Sequence, residues 1–192
     1  MSALSAPVRA VRSTGVVTRT DEVARDTRVI AFDLDEAQEP PVPGQFYQVD
    51  CGGGREHLLP RPIAAFDARS VAGRVTLAFM VVSVGWGTSR LCSLAPGETV
   101  RMVGPLGAGF ELPGEGRPLL VGGGVGIAPL HYLAVSMDRR GRDYEFLVGV
   151  TTAERFPIAL SPLQGRVELV TDDGSAGEKG LVCDFVGARL DL

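Results

Sequence analysis

The residues with the clearest chemical potential are glycines. Leu119 to Leu130 reads Leu-Leu-Val-Gly-Gly-Gly-Val-Gly-Ile-Ala-Pro-Leu, an apolar strand running into glycines and then into a helical stretch. Glycine has no Cβ, so a phosphate can approach the backbone closely there. The helix that follows aims free N–H groups and the positive end of its dipole at the same place. Pro129 suits the first helical turn, where its missing N–H is not needed. Gly122, Gly123 and Gly124, with Gly126, Ile127, Ala128 and Pro129, therefore outline a pyrophosphate site at the end of a strand. The spacing is not Gly-x-Gly-x-x-Gly, because Ile127 stands where the third glycine belongs. The alternative is a glycine-rich turn that only packs the helix on the sheet.

Two more anion-ready segments lie upstream. In Leu59-Pro-Arg-Pro-Ile63, prolines restrict the backbone around Arg61, whose guanidinium can fork onto phosphate oxygens. A surface Arg beside an edge-strand proline reads the same way. In Gly85-Trp-Gly-Thr-Ser-Arg-Leu91, a glycine-flanked turn opens a short helix over 88–94, with Thr88 as its cap. Gly104-Pro-Leu-Gly-Ala-Gly-Phe110 reads as a loop. His57 and His131 are isolated and read as structural or exposed. Asp172-Asp173-Gly174 reads as a turn after a strand, and Asp33, Asp35 and Glu36 as a solvated loop. Cys183 falls in a run read as helix and is expected to pack rather than react. No Ser–His–Asp or Cys–His set stands out.

The elements that must hold these groups divide the chain. Strands are read at 11–19, 27–34, 45–50, 63–66, 74–84 and 99–103, separated by turn signals such as Glu39-Pro-Pro-Val-Pro-Gly44 and Gly52-Gly-Gly54. About six short strands of this kind make a sandwich or barrel. Gly114-Glu-Gly-Arg-Pro118 marks the boundary. Beyond it come strands at 118–121, 144–148 and 167–170, a helix at 127–137 and a last helix at 180–190, which together suggest parallel βαβ units. The length, 192 residues, allows one large or two small domains at roughly 100–200 residues each. A net charge of −4 argues against a nucleic-acid partner. Cys51, Cys92 and Cys183 are too dispersed for a zinc or iron–sulfur motif and fit a reducing compartment. The first ten residues lack a signal-peptide core, and no apolar run reaches the ~18 residues of a membrane span. A cytoplasmic protein with no membrane partner is the expectation.

Taken in order, Arg-Pro-Ile-Ala, Gly-x-Gly-Thr-x-x-Leu, Gly-Pro-Leu-Gly-x-Gly-Phe, Gly-Gly-Gly-Val-Gly-Ile-Ala-Pro-Leu and Thr-Asp-Asp-Gly-Ser-x-Gly-x-Lys-Gly resemble the ferredoxin-reductase family. More narrowly, they resemble the electron-transfer subunits of heteromeric, NAD-linked dihydroorotate dehydrogenases. The resemblance implies a Greek-key antiparallel FAD-binding β-barrel over residues 1–115. A short Rossmann-like NAD-binding α/β part, incomplete relative to the family, would follow over 116–192. It implies that Arg61 holds the FAD pyrophosphate, that Pro62, Ile63 and Ala64 line the flavin, and that Met80, Val81 and Val82 run along it. Gly87 and Thr88 would set a helix N-terminus at the phosphates. Gly122 to Gly124 and Gly126 to Pro129 would floor the NAD(H) site, with Thr171, Asp172, Asp173 and Gly174 nearby. The implied activity is NAD(P)H-dependent flavin oxidoreduction, with electrons passing from NADH through FAD. The receiving partner would be the FMN-containing catalytic subunit of dihydroorotate dehydrogenase, in a hetero-oligomer serving pyrimidine biosynthesis.

The chain departs from the family at Ala64, where Ser or Thr is usual near flavin N5, and at Val81 and Val82, where an aromatic residue and an Arg are common. It also ends at Leu192, before the further strands and the four-cysteine [2Fe–2S] segment. No such cluster is therefore encoded in the 192 residues. A flavin-binding remnant with a structural or regulatory role and a stand-alone flavin reductase stay open. Glu154 would suit the ribose hydroxyl of NAD and Arg155 the 2′-phosphate of NADP, and both follow the second α/β strand.

Overall fold

A computed structural model of the chain describes residues 9–35, 38–52, 59–71, 73–112, 114, 116–163 and 166–189. Glu36, Gly53, Gly54 and His57, singled out above, lie outside the described residues.

The first half closes into a six-stranded barrel. Its strands are β1 (Val11–Ala24), β2 (Thr27–Leu34), β3 (Phe46–Val49), β4 (Arg61–Val71), β5 (Arg74–Val82) and β6 (Thr99–Leu106). They pair antiparallel in the order β1-β2-β5-β4-β3-β6, with β6 returning to β1, so the barrel has no free edge. The β2–β3 and β5–β6 connections cross between non-neighbouring strands, which is the Greek-key pattern expected. Two strands outrun their sequence reading. β1 continues past Arg19 to Ala24, and β4 past Phe66 to Val71. In both, a shift of register (Val17/Arg19 in β1, Ala65/Asp67 in β4) inserts a bulge that breaks the two-residue alternation by which a strand is recognised.

After β6 the chain enters a parallel sheet of order β10-β9-β8-β7, formed by β7 (Leu119–Gly123), β8 (Glu145–Val150), β9 (Val167–Thr171) and β10 (Glu178–Lys179). The helix α2 (Ile127–Asp138) crosses from β7 to β8, while 3-10 turns at Ala153–Arg155 and Ile158–Leu163 connect β8 to β9. The expected helix over 180–190 is not formed. Two 3-10 turns, Val182–Phe185 and Gly187–Arg189, stand in its place. The Asp184 carboxylate accepts the Leu181 N–H at 3.3 Å, a local bond that competes with helix propagation, and Gly187 interrupts the run. Cys183 is correspondingly exposed rather than packed. Among the described residues no helix is long and apolar enough to cross a membrane.

Two cores explain why β2 and β5 are apolar on both faces. Ile30, Phe32, Leu77, Phe79 and Val81 point into the barrel with Tyr47 and Val49. Val29 and Met80, from the opposite faces of the same strands, join Phe66 and the α/β residues Ile127, Leu133, Met137, Phe146 and Val148. The barrel wall is thus a partition between two interiors. Helix α2 seals it against β4. His131 stacks on Phe66 with ring centroids 3.8 Å apart and Nδ1 lies 2.9 Å from the Phe66 carbonyl. Beside it the Tyr132 hydroxyl donates to the Pro41 carbonyl at 2.7 Å, and Arg139 pairs with Asp67 at 3.4 Å. His131 therefore has the structural role expected of it.

Candidate functional site

Where the barrel wall meets the C-terminal ends of the parallel strands, a cleft of about 600 Å³ opens. Thr27, Met80 and Val82 line it from the barrel. Gly123, Gly124 and Val125 line it from the end of β7, Gly149 to Thr151 from the end of β8, and Asp172 from the end of β9. Arg155, Pro157 and Leu181 to Cys183 complete the rim. Its size and largely apolar lining suit a cofactor-sized ligand, and its place at the carboxyl ends of parallel strands is where α/β sheets bind ligands.

The glycine turn divides its labour. A Cβ on Gly122 would lie 3.0 Å from Leu130 Cδ1 and 3.3 Å from Ile127 Cα, so this glycine lets α2 sit down on β7. A Cβ on Gly124 or Gly126 would meet nothing within 4 Å, and one on Gly123 only the Gly149 carbonyl oxygen at 3.8 Å. Their backbone is open for approach. Gly124 also takes a φ of +52°, and the turn Gly124–Gly126 feeds α2 with no side-chain cap and no acidic residue in the first turn. The Ile127 N–H bonds back to the Gly124 carbonyl within the turn, but among the described residues no side chain caps this start and no first-turn acid offsets its dipole. Ile127 and Ala128 are buried in the second core, so their side chains support the turn from beneath rather than face the cleft.

On the barrel, β4 begins beside the short helix α1 (Trp86–Cys92). A Cβ on Gly87 would stand 3.0 Å from Arg61 Nε and 3.3 Å from Cys51 Sγ, so the Arg61 side chain lies directly against the helix start. Its Nη1 donates to the Leu59 carbonyl at 2.7 Å, which fixes the fork at the strand mouth. Burial pushes the Cys51 thiol up, against the opposing pull of the Arg61 guanidinium. The cap of α1 is Gly85, not Thr88. Thr88 is three residues further in, and its hydroxyl accepts the Val84 and Gly85 N–H groups and donates to the Gly85 carbonyl. With both lone pairs and the proton engaged, Thr88 shapes the turn and has nothing left for a ligand.

The 171–175 segment is also held internally. Thr171 is fully buried, and its hydroxyl bonds both the Ala176 carbonyl and the Ala176 N–H. Asp173 Oδ1 accepts from the Ser175 hydroxyl at 2.6 Å and the Ser175 N–H at 2.9 Å, and this bonding holds its carboxyl below the usual carboxylate range. The Ser175 hydroxyl oxygen in turn accepts the Ala153 N–H, tying the turns after β8 and β9 together. Asp172 alone of this group lines the cleft.

The sequence-picked residues thus separate. Met80, Val82, Gly123, Gly124 and Asp172 meet at the cleft, and Arg61 meets Gly87 at the helix start. Pro62 is exposed, while Ile63 and Ala64 are half-buried on β4. Val81 points its side chain into the barrel, away from the cleft. Thr27, Val125, Thr151, Pro157 and Val182 line the cleft without a sequence signal to mark them. Gly149 had one, a glycine at a strand end, and it serves a close approach: its Cβ would stand 2.6 Å from Val182 Cβ.

The chain is similar to known FAD-binding oxidoreductases. A family model described as an oxidoreductase FAD-binding domain matches residues 14–110. A relative from Geobacillus kaustophilus, named dihydroorotate dehydrogenase B (NAD(+)), electron transfer subunit, is 35% identical over 178 residues, covering 91% of this chain and 66% of the relative. The chain therefore spans just under two thirds of that protein's length. Among solved structures, the Amycolatopsis cytochrome P450 reductase GcoB shares the fold at a TM-score of 0.78 and 22% identity, over 96% of this chain and 59% of that one. An NADH-dependent reduced ferredoxin-NADP oxidoreductase matches with a TM-score of 0.74 and 27% identity, over 91% of this chain and 62% of its own.

Proposed function

Because the chain belongs to the oxidoreductase FAD-binding domain family, we propose that it carries electrons between a nicotinamide dinucleotide and a partner redox subunit by way of bound FAD. In this reading residues 1–115 hold FAD and 116–192 receive the dinucleotide. The observation that carries it is the cleft where β5 of the barrel faces the open glycine backbone at the ends of β7 and β8.

The residues present fit the cofactor. Arg61, laid against Gly87 at the start of α1, would take the FAD pyrophosphate in a charge-assisted contact. Met80 and Val82 offer an apolar wall for a ring system. FAD, when bound, supplies the exchange between two-electron hydride chemistry and one-electron transfer. Position and electrostatics are the protein's share. Gly123, Gly124 and Gly126 admit a pyrophosphate to the backbone, and the start of α2 balances its charge. Hydride transfer asks for no side-chain acid or base, so no such role is given to Arg155, Asp172 or Cys183, the ionisable residues of the described lining. The free cysteines are buried (Cys51), half-buried (Cys92) and exposed (Cys183), and no cluster is assigned to them.

The partner proposed is an FMN-containing dihydroorotate dehydrogenase catalytic subunit, with which the chain would form a hetero-oligomer in the cytoplasm. The likeness to the Geobacillus kaustophilus electron transfer subunit supports this. Mixing the FAD-loaded protein with such a catalytic subunit should give a co-eluting complex that couples dihydroorotate and orotate to NAD(H). Turnover with free electron acceptors but no complex would instead select a stand-alone flavin reductase. One observation favours another reading, a barrel that holds FAD without dinucleotide access. Val182 packs on Gly149 and covers part of the strand ends. Bound flavin that NADH leaves oxidised would select it.

A further inference from the structure

Glu154 and Arg155 are neighbours in the turn after β8, and the structure sorts them. Glu154 is taken up by the barrel. Its carboxylate bonds Arg25 Nη1 at 3.1 Å, and its carbonyl accepts the Arg25 N–H at 3.0 Å. Arg155 instead lines the cleft, and it is the one cationic side chain among the described lining residues. Its side chain is 41% exposed, and its ion-pair partner among the described residues is the Asp26 carboxylate at 3.7 Å. That separation offsets charge but is beyond hydrogen-bond length, so the guanidinium donors are not engaged by Asp26. Asp26 is fixed on the β1–β2 turn. It takes a φ of 56°, and its carbonyl accepts the Ser83 N–H at 2.8 Å. An Arg whose fork makes no side-chain hydrogen bond among the described residues thus enters the same cleft as the open backbone of Gly123 and Gly124.

We propose that Arg155 receives a phosphate of the dinucleotide, with Asp26 as the placeholder that holds its guanidinium until the phosphate arrives. The proposal rests on the dinucleotide reading of the cleft. A planar guanidinium matches two phosphate oxygens at once, which makes Arg155 a specificity residue rather than a general counter-charge. The phosphate belongs either to the pyrophosphate that NADH and NADPH share or to the 2′-phosphate that NADPH alone carries.

The test is calorimetric titration of the FAD-loaded protein with NADH and with NADPH, under anaerobic conditions and with the FAD reduced beforehand so that no hydride transfer adds heat, for the wild type, Arg155→Gln and Asp26→Asn. Arg155→Gln is expected to weaken binding on the order of 10–100-fold, the range for a lost charge-assisted contact. A loss shared by both nucleotides assigns the pyrophosphate, and a loss confined to NADPH assigns the 2′-phosphate. Asn accepts a positive φ, so Asp26→Asn keeps the turn while releasing Arg155. It is expected to bind as tightly as wild type or more tightly. If Arg155 only latches the barrel to the α/β part, both variants weaken alike, and that result overturns the proposal. So does unchanged binding of both nucleotides by Arg155→Gln. Wild-type protein that binds neither nucleotide overturns the dinucleotide reading itself, and the proposal falls with it.

Discussion

Arg61 lies against Gly87 with its Nε 3.0 Å from where a Cβ would stand, so the two residues define one contact. Removing the guanidinium by Arg61→Ala should weaken FAD binding by about 1–3 kcal/mol, the range for a charge-assisted bond. Flavin fluorescence titration reads this directly, and unchanged affinity would remove Arg61 from the site. The glycines of the β7–α2 turn allow a sharper separation of stability from binding. Gly126 takes φ −65°, ψ −13°, ordinary helical values, and has open space where a Cβ would go. Gly126→Ala should therefore leave the melting temperature nearly unchanged while weakening NADH binding, because its methyl would occupy the space proposed for a phosphate. Gly122→Ala should do the reverse. Its methyl would press on Leu130 and Ile127 and cost about 1–3 kcal/mol of stability. Thermal melts and NADH titrations of the pair check both statements. Equal loss of stability in the two variants would contradict the division of roles.

At the scale of elements, the six barrel strands and the β7–turn–α2 unit were legible because their apolar patterns are bounded by strong turn residues. Glu39 to Gly44 and the glycines at 122–124 punctuate the chain unambiguously. The ends of β1 and β4 were not, because bulges invert the alternation there. The 181–189 segment misleads for a different reason. Its apolar spacing allows a helix, but Asp184 and Gly187 favour turns, and no local pattern reveals that Val182 must fold over Gly149. The candidate site was legible where backbone chemistry is local, at Gly123, Gly124 and Asp172. It was illegible where residues from β2, β8 and the 181–183 turn arrive by tertiary folding. The Val182–Gly149 contact is itself testable. With 2.6 Å between a new methyl and Val182 Cβ, Gly149→Ala should lift the 181–186 turn off the sheet, raising amide exchange there while the barrel amides stay protected.

Over the whole molecule, the barrel wall works as a shared partition, and α2 fixes the α/β part to it through His131, Tyr132 and Arg139. Burial pushes the Tyr132 phenol up to about 12, so its hydroxyl stays a donor to Pro41 at any physiological pH. Burial also holds the His131 imidazole below its ordinary 6.5, against the favourable influence of the Phe66 carbonyl and Asp67, with Arg139 adding to the depression. The folded state therefore binds fewer protons than the unfolded state once pH drops below about 6.5. Stability from this residue is complete above that pH and is lost as pH falls toward the lowered value, by at most about 1.4 kcal/mol per unit. Melting temperatures of wild type and His131→Gln between pH 7.5 and 5.5 should converge on acidification, and parallel curves would count against an interface histidine held neutral. The same partition sets the central claim, that one face of the barrel brings a flavin within reach of a dinucleotide on the strand ends. The most direct measurement is the visible spectrum of the protein loaded with FAD, followed through anaerobic addition of NADH. Stoichiometric bound flavin whose absorption bleaches with NADH is the predicted result. Protein that binds no flavin, or bound flavin that NADH leaves fully oxidised, would contradict it.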